Sequence, residues 1–452
     1  MRFLVRDKSF YKSFATLTII ISLQSLITFS VNLADNIMIG NYSETGLSGV
    51  TIVNQIQFLL QMIAGGVGGG VVVFGAQYWG KKEIDPIRKI IALGLKFSLA
   101  AGIIFFLAGK LMPYRLLRLL TNDENVIEAG LEYLSIISFT YIVFCISNTL
   151  VFSLRSVEST IIGTVVSLFA LVSNITLNYG LIYGRLGMPE LGIRGAAIAT
   201  LISRCVELAV VVVYLLFIDK KLKLRPKHVF TLDFSDLRRF TKVSLPVVVT
   251  GGFWGLAMSV QTAIMGHMSA ETIAASSISG VVFQVAAVLG MCSSSSSSVL
   301  IGKVVGERRF DMIKPYTRTL QFLYICIGLF CGIVLYLVRE PILSLYNISQ
   351  TTHDLAMTFM TVLSFSVVCS SYEYPVEGGI IQGGGNTRYP FIVDTICMWG
   401  FTLPLSYLSA FVWHLDPLYT FMFLRIDQLL KCFPNAITVN RYKWIKEVTL
   451  TK

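Results

Sequence analysis

The sequence FATLTIIISLQSLITFSVNLADNIM, residues 14–38, is mostly apolar, is interrupted by uncharged polar residues, and contains a single ionisable side chain, Asp35. As an α-helix, this stretch is long enough to cross the hydrocarbon core of a bilayer, which is about 30 Å thick. Apolar runs of similar length recur along the whole chain. The stretch therefore predicts a membrane-spanning helix, and it raises the question of what a carboxylate does in so apolar a setting.

The composition fits a protein built from such helices. The chain has 452 residues, of which 54% are hydrophobic and 14% are charged, whereas soluble domains carry about 25% charged residues. Open sheets cannot satisfy their edges in lipid, and the runs are too continuous to alternate as barrel strands. We expect an all-α integral membrane protein with twelve transmembrane helices. The predicted spans are residues 14–38, 52–78, 90–111, 127–153, 159–184, 193–218, 244–267, 275–301, 317–338, 353–382, 389–413 and 417–438.

The formal net charge of +11 is placed unevenly along the chain. With the N-terminus inside, most of the 37 Lys and Arg residues fall in inner loops and tails, which is the positive-inside pattern. We therefore expect both termini in the cytoplasm. We also expect a monomer in a bacterial plasma membrane. The basic stretch 220–228 predicts contact with lipid headgroups, and nucleic acid is not expected as a partner. The eight cysteines fall in apolar spans and predict packing rather than disulfides or a zinc site.

A weak internal repeat sets the expected architecture. With a shift of 226 residues, YWGKKEIDPIRK (78–89) aligns with VVGERRFDMIKP (304–315). Each half then contains six spans, so the halves share one orientation and are related by an axis along the membrane normal, as in transporters with parallel repeats. We expect six-helix lobes at residues 1–218 and 244–452, joined by a basic cytoplasmic linker at 219–243.

Enzyme signatures are absent from the sequence. It contains no H-E-x-x-H, Walker A, strand-linked G-x-G-x-x-G or G-x-S-x-G motif, and its four His residues lie near span ends. This pattern disfavours an enzyme and disfavours transport driven directly by ATP on this chain. No cofactor is expected, and an ion gradient is the natural energy source.

Polar groups inside spans are functional hypotheses because the bilayer core penalises them. Asp35, near the outer end of the first span, can bind Na⁺ or a proton, or can simply cap the helix end or reach the outer headgroups. Asn174 and Asn178 share one helix face, where their amide oxygens can coordinate a cation or hydrogen-bond to another helix. Thr200 lies among small residues, and its spacing alone favours close packing.

Two further pairs of ionisable residues lie in spans. Arg204 and Glu207 are three residues apart and predict a structural salt bridge. Glu373 and Glu377 flank Pro375, which we expect to break the helix; a carboxylate pair at such a break suits a cation or proton site, and a simple hinge is the alternative. In the last two spans, we expect pairing, or a place in the inner vestibule, for Asp394, Arg425, Asp427 and Lys431.

The second half of the chain also contains candidates for a substrate cavity. Aromatic, Met and amide side chains suit an adaptable cavity for flat organic cations, although such residues more often form the core of a span. The candidates are Trp254, Met258, Gln261, Phe283, Gln284 and Tyr372. The run CSSSSSSVLIG (292–302) predicts a small, closely packed helix face, with cavity lining as the alternative.

Several segments together resemble the multidrug and toxic compound extrusion (MATE) family, and the resemblance covers nearly the full length. The segments are LADNIMIG (33–40), FGAQYWGKK (74–82), NITLNYGLIYGRLGMPELGIRGAAIAT (174–200) and IQGGGNTRYPFIVD (381–394). The third is the most specific. The resemblance implies a twelve-helix antiporter with two six-helix lobes that exchanges Na⁺ or H⁺ for cationic, amphipathic drugs.

The resemblance also implies site residues. The implied cation site in the first lobe consists of Asp35, Asn174, Asn178 and Thr200. Some relatives have a second Asp at the position of Asn178, so this chain has one carboxylate where they have two. Other relatives have a Glu in span seven, where this chain has Trp254; Glu373 or Glu377 can substitute for it as a second carboxylate site.

Together these observations predict a secondary active antiporter that exports cationic or amphipathic xenobiotics by rocking of its lobes. A lipid-linked saccharide flippase of the same superfamily is the first alternative, and it would need a more cationic cavity for pyrophosphate. The second alternative is an integral membrane enzyme that modifies lipids. Such an enzyme would need a nucleophile or metal constellation, and no His lies at mid-span to build one. Both Na⁺ and H⁺ remain candidates for the coupling ion.

Overall fold

The computed structural model describes residues 4–230, 233, 235–344, 346 and 348–449. Within these residues the chain forms helices and turns but no strand, which confirms the predicted all-α fold. The helices are Lys8–Tyr42 (α1), Glu44–Gly80 (α2), Ile84–Leu111 (α3), Pro113–Arg118 (α4), Glu124–Ser156 (α5), Ile161–Tyr183 (α6), Gly192–Val213 (α7), Pro226–Phe230 (α8), Leu237–Gly266 (α9), Ala270–Gly306 (α10), Phe310–Leu343 (α11), Gln350–Tyr374 (α12), Arg388–Thr395 (α13), Leu403–Tyr407 (α14), Pro417–Leu424 (α15) and Ile426–Arg441 (α16).

Eleven helical segments of the described chain are long and apolar enough to cross a membrane. They correspond in order to the first eleven predicted spans. The twelfth predicted span, 417–438, is two shorter helices, α15 and α16, which meet at Arg425. Arg425 has backbone angles of φ −112° and ψ 0°, near the bridge region, and this conformation interrupts the regular helix.

Four segments continue an α-helix as a wider π-helix. They are Tyr214–Ile218, Pro375–Ile381, Ile396–Thr402 and Leu408–Val412. The second corrects the expectation that Pro375 breaks its helix. Pro375 has helical backbone angles, φ −75° and ψ −21°, and the chain continues as a π-helix to Ile381. The wider turn accommodates a residue without an N–H, so Glu373 and Glu377 stay on one continuous helical segment.

The amino-terminal unit comprises Leu23–Gly75 and Lys82–Val248. Within it, α3 packs on α5, α5 on α7, and α6 on α7, around an apolar core. Gly195 on α7 lies directly against the backbone of Leu181 on α6, where a Cβ would collide with the Leu181 carbonyl oxygen. Because small residues permit this close approach, polar side chains on α6 and α7 can reach each other.

The carboxyl-terminal unit comprises Met1–Ser22, Ala76–Lys81 and Val249–Lys452. Within it, α10, α11 and α12 pack on one another. The start of α1 contributes apolar side chains, including Phe10 and Phe14, to a core that it shares with α10 and α11. This unit also holds the π-helical segment that follows α12.

The serine run packs tightly, as its composition predicts. Three of its hydroxyls are fully buried and donate to carbonyl oxygens of the preceding turn at 2.6 to 3.2 Å, namely those of Ser293, Ser296 and Ser297. A Cβ on Gly379 would lie 2.9 Å from the Ser294 carbonyl oxygen. The small face of α10 therefore allows the π-helical segment to approach closely.

The chain after α16 is fixed to the carboxyl-terminal unit. Trp444 is buried against Gly384. Glu447 forms ion pairs with Lys81 at 2.7 Å and with Arg308 at 3.3 Å. Partial burial raises the pKa of Glu447, but the hydrogen bond from Lys81 and the charges of Lys81 and Arg308 outweigh it, so this pKa lies below its usual range.

The lobe boundaries predicted from the repeat stay a prediction. The expected linker, 219–243, contains α8 and the start of α9, and Asp233 within it forms an ion pair with Lys89 at 2.8 Å. Residues 231, 232 and 234 of this linker lie outside the described residues. The same holds for residues 1–3 of the first predicted lobe and for residues 345, 347 and 450–452 of the second.

Candidate cation sites

Asp35 on α1 contacts the polar side of α6 within the amino-terminal unit. The Asn178 Nδ2 group donates a hydrogen bond to Asp35 Oδ1 and another to Asn174 Oδ1 at 3.1 Å. Asn174 Nδ2 in turn donates to Thr200 Oγ1 on α7 at 3.5 Å. The structure therefore brings these four residues, which we call the Asp35 cluster, into one hydrogen-bonded chain.

The Asp35 cluster is buried except for Asp35 itself, and its hydrogen bonding is incomplete. Asn174 and Asn178 are both 0% exposed, Thr200 is buried, and Asp35 is partly exposed. Among the described residues, Asn178 Oδ1 has no hydrogen-bond partner although it is buried. Leaving such an oxygen unpaired is costly, and a cation would satisfy it. The cluster offers carboxylate, amide and hydroxyl oxygens, the ligand types that hard cations prefer.

Tyr133 on α5 belongs to the surroundings of the Asp35 cluster and was not identified from the sequence. Its hydroxyl is hydrogen-bonded to Thr200, and it interacts electrostatically with Asp35. Tyr133 is buried in an ordinary apolar stretch of span four. No local spacing distinguishes it from the other aromatic residues of the spans, so only tertiary contact shows its position.

The predicted ion pair of Arg204 and Glu207 is confirmed, with Nη1 2.7 Å from Oε2. The guanidinium lies 5.4 Å from the centre of the Phe144 ring, and the Ser147 hydroxyl lies 3.4 Å from the other Glu207 oxygen. Arg204 also interacts electrostatically with Asp35. Because Arg204 and Glu207 neutralise each other, Asp35 is left with neutral hydrogen-bond partners.

The carboxyl-terminal unit contains a second group of charges, which we call the Lys431 cluster. Lys431 Nζ lies 2.6 Å from Asp394 Oδ1 and 3.3 Å from Asp427 Oδ2. Glu373 on α12 and Glu377 on the following π-helical segment interact electrostatically with the same lysine. The expected pairing is therefore confirmed for Asp394, Asp427 and Lys431, whereas the Arg425 guanidinium lies over the rings of Phe283 and Phe421 at 5.3 and 5.5 Å.

The two glutamates of the Lys431 cluster differ in their partners. Glu377 Oε1 accepts a hydrogen bond from Asn435 Nδ2 at 2.8 Å, and the Tyr389 hydroxyl donates to Asn435 Oδ1 at 3.0 Å. Glu373 Oε2 is buried and has no hydrogen-bond partner within the part of the chain that the structure describes. Asn435 was missed in the sequence, although its position four residues after Lys431 places it on the same helix face.

A small, open pocket adjoins the Lys431 cluster. Its polar wall is formed by Asp394 and Lys431, and its aromatic wall by Phe253, Trp254 and Trp399. The rings of Phe253 and Trp399 are 5.9 Å apart. Aromatic rings beside a carboxylate form a suitable environment for an organic cation.

Three of the candidate cavity residues lie on α9 near this pocket. Trp254 lines the pocket itself. Met258 packs in the same apolar group as Trp254. Gln261 is buried, with its Nε2 3.4 Å from the Met398 sulfur, and Met398 is also a lining residue.

The other three candidates are dispersed in the carboxyl-terminal unit. The Arg425 guanidinium lies 5.3 Å from the centre of the Phe283 ring. Gln284 is exposed. The Tyr372 hydroxyl donates to Gln321 Oε1 at 2.9 Å. These three side chains are not among those that line the pocket, and their role in substrate binding stays a prediction.

The comparisons with known proteins point to one family. The MatE family model matches residues 21–180 and 246–408. The chain is 25% identical to a probable multidrug resistance protein NorM of Halalkalibacterium halodurans, over 87% of each chain. It is 23% identical to a protein of the same name from Thermotoga maritima, over 95% of this chain and 92% of that protein.

The solved structures agree with this fold. A transporter of the MOP superfamily from Pyrococcus furiosus, described as having a binding pocket of reverse polarity, matches with a TM-score of 0.87 at 17% identity. The match covers 97% of each chain. Since the family model also matches more than half of the chain, the protein belongs to the multidrug and toxic compound extrusion (MATE) family and is a multi-pass membrane transporter rather than an enzyme.

Proposed function

We propose that this protein is a secondary active antiporter that exports cationic or amphipathic xenobiotics in exchange for Na⁺ or H⁺. Alternating access arises from rocking of its lobes, the mechanism associated with parallel repeats. The names of the relatives, probable multidrug resistance proteins, support the substrate class. The observation that carries the proposal is the Asp35 cluster, in which a carboxylate is hydrogen-bonded to buried amides inside a membrane helix.

The Asp35 cluster is the proposed coupling site. A proton would neutralise Asp35 directly. A sodium ion would bind the Asp35 carboxylate, the unpaired Asn178 Oδ1 and the Thr200 hydroxyl. In either case the bound cation removes the penalty of an ionised carboxylate in an apolar unit, so the loaded and unloaded sites favour different packing of α1 against α6.

The Lys431 cluster and its pocket are the proposed substrate side of the carboxyl-terminal unit. Glu373 and Glu377 form the second carboxylate site. Trp254 contributes an aromatic wall to the pocket, and Met258 and Gln261 support the same face of α9. An excess of carboxylates over basic groups in this cluster favours cationic substrates.

The same excess of acid argues against the flippase alternative. Lys431 and Arg425 are the basic side chains of this region, and acidic side chains outnumber them. A pyrophosphate-linked lipid would meet repulsion from Asp394, the carboxylate in the pocket wall. We therefore retain the antiporter as the function that the geometry favours.

Two further features belong to the proposal. The protein is a monomer in a bacterial plasma membrane, and both of its termini face the cytoplasm, as the distribution of Lys and Arg favours. A cysteine introduced at Lys443 would react with a membrane-impermeant maleimide only after cells are opened. Labelling in intact cells would reverse the proposed orientation.

Dye efflux from vesicles tests the proposed function. Purified protein is reconstituted with ethidium inside, and a Na⁺ gradient or a pH gradient is imposed separately. We expect one of the two gradients to accelerate efflux over protein-free vesicles, which also identifies the coupling ion. Equal efflux with and without gradients in the presence of the protein would contradict secondary active transport.

A further inference from the structure

Lys431 lies among acidic side chains of the carboxyl-terminal unit. It is buried on α16, with its ammonium in contact with Asp394 and Asp427. Glu373 and Glu377 surround it at longer range. An ammonium group with carboxylates on several sides has the coordination that a bound monovalent cation would have, but the ion is tethered to the chain by a flexible four-carbon stem.

Lys431 supplies the positive charge that its two contacting carboxylates need. The second base of the region, Arg425, interacts electrostatically with Asp427 and is turned toward the rings of Phe283 and Phe421 at 5.3 and 5.5 Å. The buried Glu373 Oε2 has no hydrogen-bond partner among the described residues. Glu373 therefore offers a further hydrogen-bond acceptor to which the Lys431 ammonium can turn when it leaves Asp394.

The pocket leads to the contact between Lys431 and Asp394. The Asp394 side chain is 27% exposed, whereas that of Lys431 is 5% exposed, so a ligand in the pocket reaches the carboxylate first. Phe253, Trp254 and Trp399 line the same pocket. Their faces attract a delocalised organic cation more strongly than they attract a hydrated metal ion, because the organic cation loses less hydration on entry.

We propose that Lys431 is a tethered cation that holds the carboxylates of this unit, and that a hydrophobic organic cation bound in the aromatic pocket displaces it from Asp394. This inference rests on the proposed export of organic cations and names the site that recognises them. The displaced ammonium remains within electrostatic range of Glu373, whose free oxygen can accept its hydrogen bond. In this arrangement Lys431 competes with the substrate and makes added Na⁺ unnecessary in this unit.

Equilibrium binding of tetraphenylphosphonium to the purified protein tests the proposal without any gradient. Quenching of tryptophan fluorescence reports binding, since Trp254 and Trp399 line the pocket. Titrations are made with Na⁺ or with N-methylglucamine as the background cation at constant ionic strength. We expect wild-type affinity to be the same in both backgrounds, because Lys431 already neutralises the cluster.

The variants separate a tethered cation from a structural lysine. Replacing Lys431 by Met (K431M) should tighten tetraphenylphosphonium binding about tenfold in N-methylglucamine, since the internal competitor is gone. The same variant should show weaker binding when Na⁺ is present, because Na⁺ now enters the vacant position. Lys431→Arg should restore behaviour close to wild type, and Asp394→Asn should weaken binding about tenfold.

Controls keep each outcome decisive. Lys96→Met changes another lysine within a span and should bind like wild type, and Trp399→Phe should lose part of the fluorescence signal. If Lys431→Met destabilises the fold, the double variant K431M/D394N removes one base and one acid together and keeps the net charge of the wild type; it should bind weakly and show no response to Na⁺. Weaker binding by folded Lys431→Met in both backgrounds, or Na⁺ sensitivity of the wild type, would overturn the proposal. The proposed antiport would survive such a result, because gradient-driven efflux is measured separately.

Discussion

The two units place carboxylates in their membrane helices in different ways. In the amino-terminal unit, Asp35 is held by neutral amides, and the nearby Arg204 is already paired with Glu207. In the carboxyl-terminal unit, Lys431 lies among four carboxylates and contacts two of them. A carboxylate with neutral partners must take its counter-charge from solution, whereas a carboxylate paired with a lysine carries its own. From this difference we propose that coupling takes place in the first unit and recognition of the organic cation in the second.

The largest effect on transport is expected from a substitution of Asp35, whose counter-charge is a cation from solution. Asp35→Asn preserves the shape and the hydrogen bonding of the side chain but removes its charge. Gradient-driven efflux should fall about 100-fold, the upper end of the range for a lost coupling interaction. Efflux from ethidium-loaded vesicles measures this rate. Asp394→Asn is the matched change in the other unit, and it should leave the gradient dependence in place; loss of gradient dependence in both variants would erase the distinction between the units.

A smaller effect is expected from the hydrogen-bonded chain around Asp35. Thr200→Ala removes the hydroxyl that accepts from Asn174 and bonds with Tyr133. The concentration of coupling ion that gives half-maximal efflux should rise about fivefold, which corresponds to one lost hydrogen bond. Thr200→Ser keeps the hydroxyl and serves as the control. An alanine variant that needs no more coupling ion than the serine variant would remove Thr200 from the site.

A still smaller effect is expected from a substitution of Glu377, because the other acidic groups of the Lys431 cluster remain in place. Glu377→Gln keeps the hydrogen bond with Asn435 and removes one of four acidic groups. The affinity for tetraphenylphosphonium should decrease about threefold, and the requirement for coupling ion should not change. Fluorescence titration and vesicle efflux give the two values on one preparation. A changed requirement for coupling ion would place coupling in both units.

The smallest effect lies outside both clusters, at the ion pairs of Glu447. Its pKa is lower than usual in the folded protein because the interactions with Lys81 and Arg308 outweigh partial burial. The pairs therefore stabilise the fold above the ordinary carboxyl pKa, and this stabilisation is lost as the pH falls through the lowered value. Glu447→Gln should lower the melting temperature in detergent by about 1 °C at pH 7. The difference from wild type should vanish at acidic pH, and a constant difference would assign the effect to packing.

Most of the helical framework could be predicted from the sequence because the bilayer imposes length and apolarity on each span. The first eleven predicted spans correspond to long helices. The division at Arg425 could not be predicted, since it depends on one backbone conformation within an otherwise apolar run. The π-helical segment at Pro375–Ile381 could not be predicted either, because a proline signals a missing N–H but not how the neighbouring turns adjust.

The candidate sites were predictable to different degrees. Asp35 and Asn178 stand out as polar groups in apolar runs, and the family resemblance implied that they belong to one site. In the structure they are hydrogen-bonded to each other. Tyr133 has no such signal because an aromatic residue in a span is ordinary. The contact of Lys431 with Asp394 joins the last two spans, and the sequence predicted pairing of this kind. It did not predict that the Asp394 carboxylate lines a pocket.

The central claim is that Asp35 couples ion movement to substrate movement, and reversed flux tests it most directly. An outward or inward gradient of tetraphenylphosphonium is imposed across vesicles that contain no ion gradient, and the opposing movement of Na⁺ or H⁺ is recorded with an ion-sensitive dye. Because coupling between two ligands is reciprocal, the substrate gradient should drive ion flux in the wild type and none in Asp35→Asn. Substrate-driven ion flux of equal size in both proteins would contradict the claim.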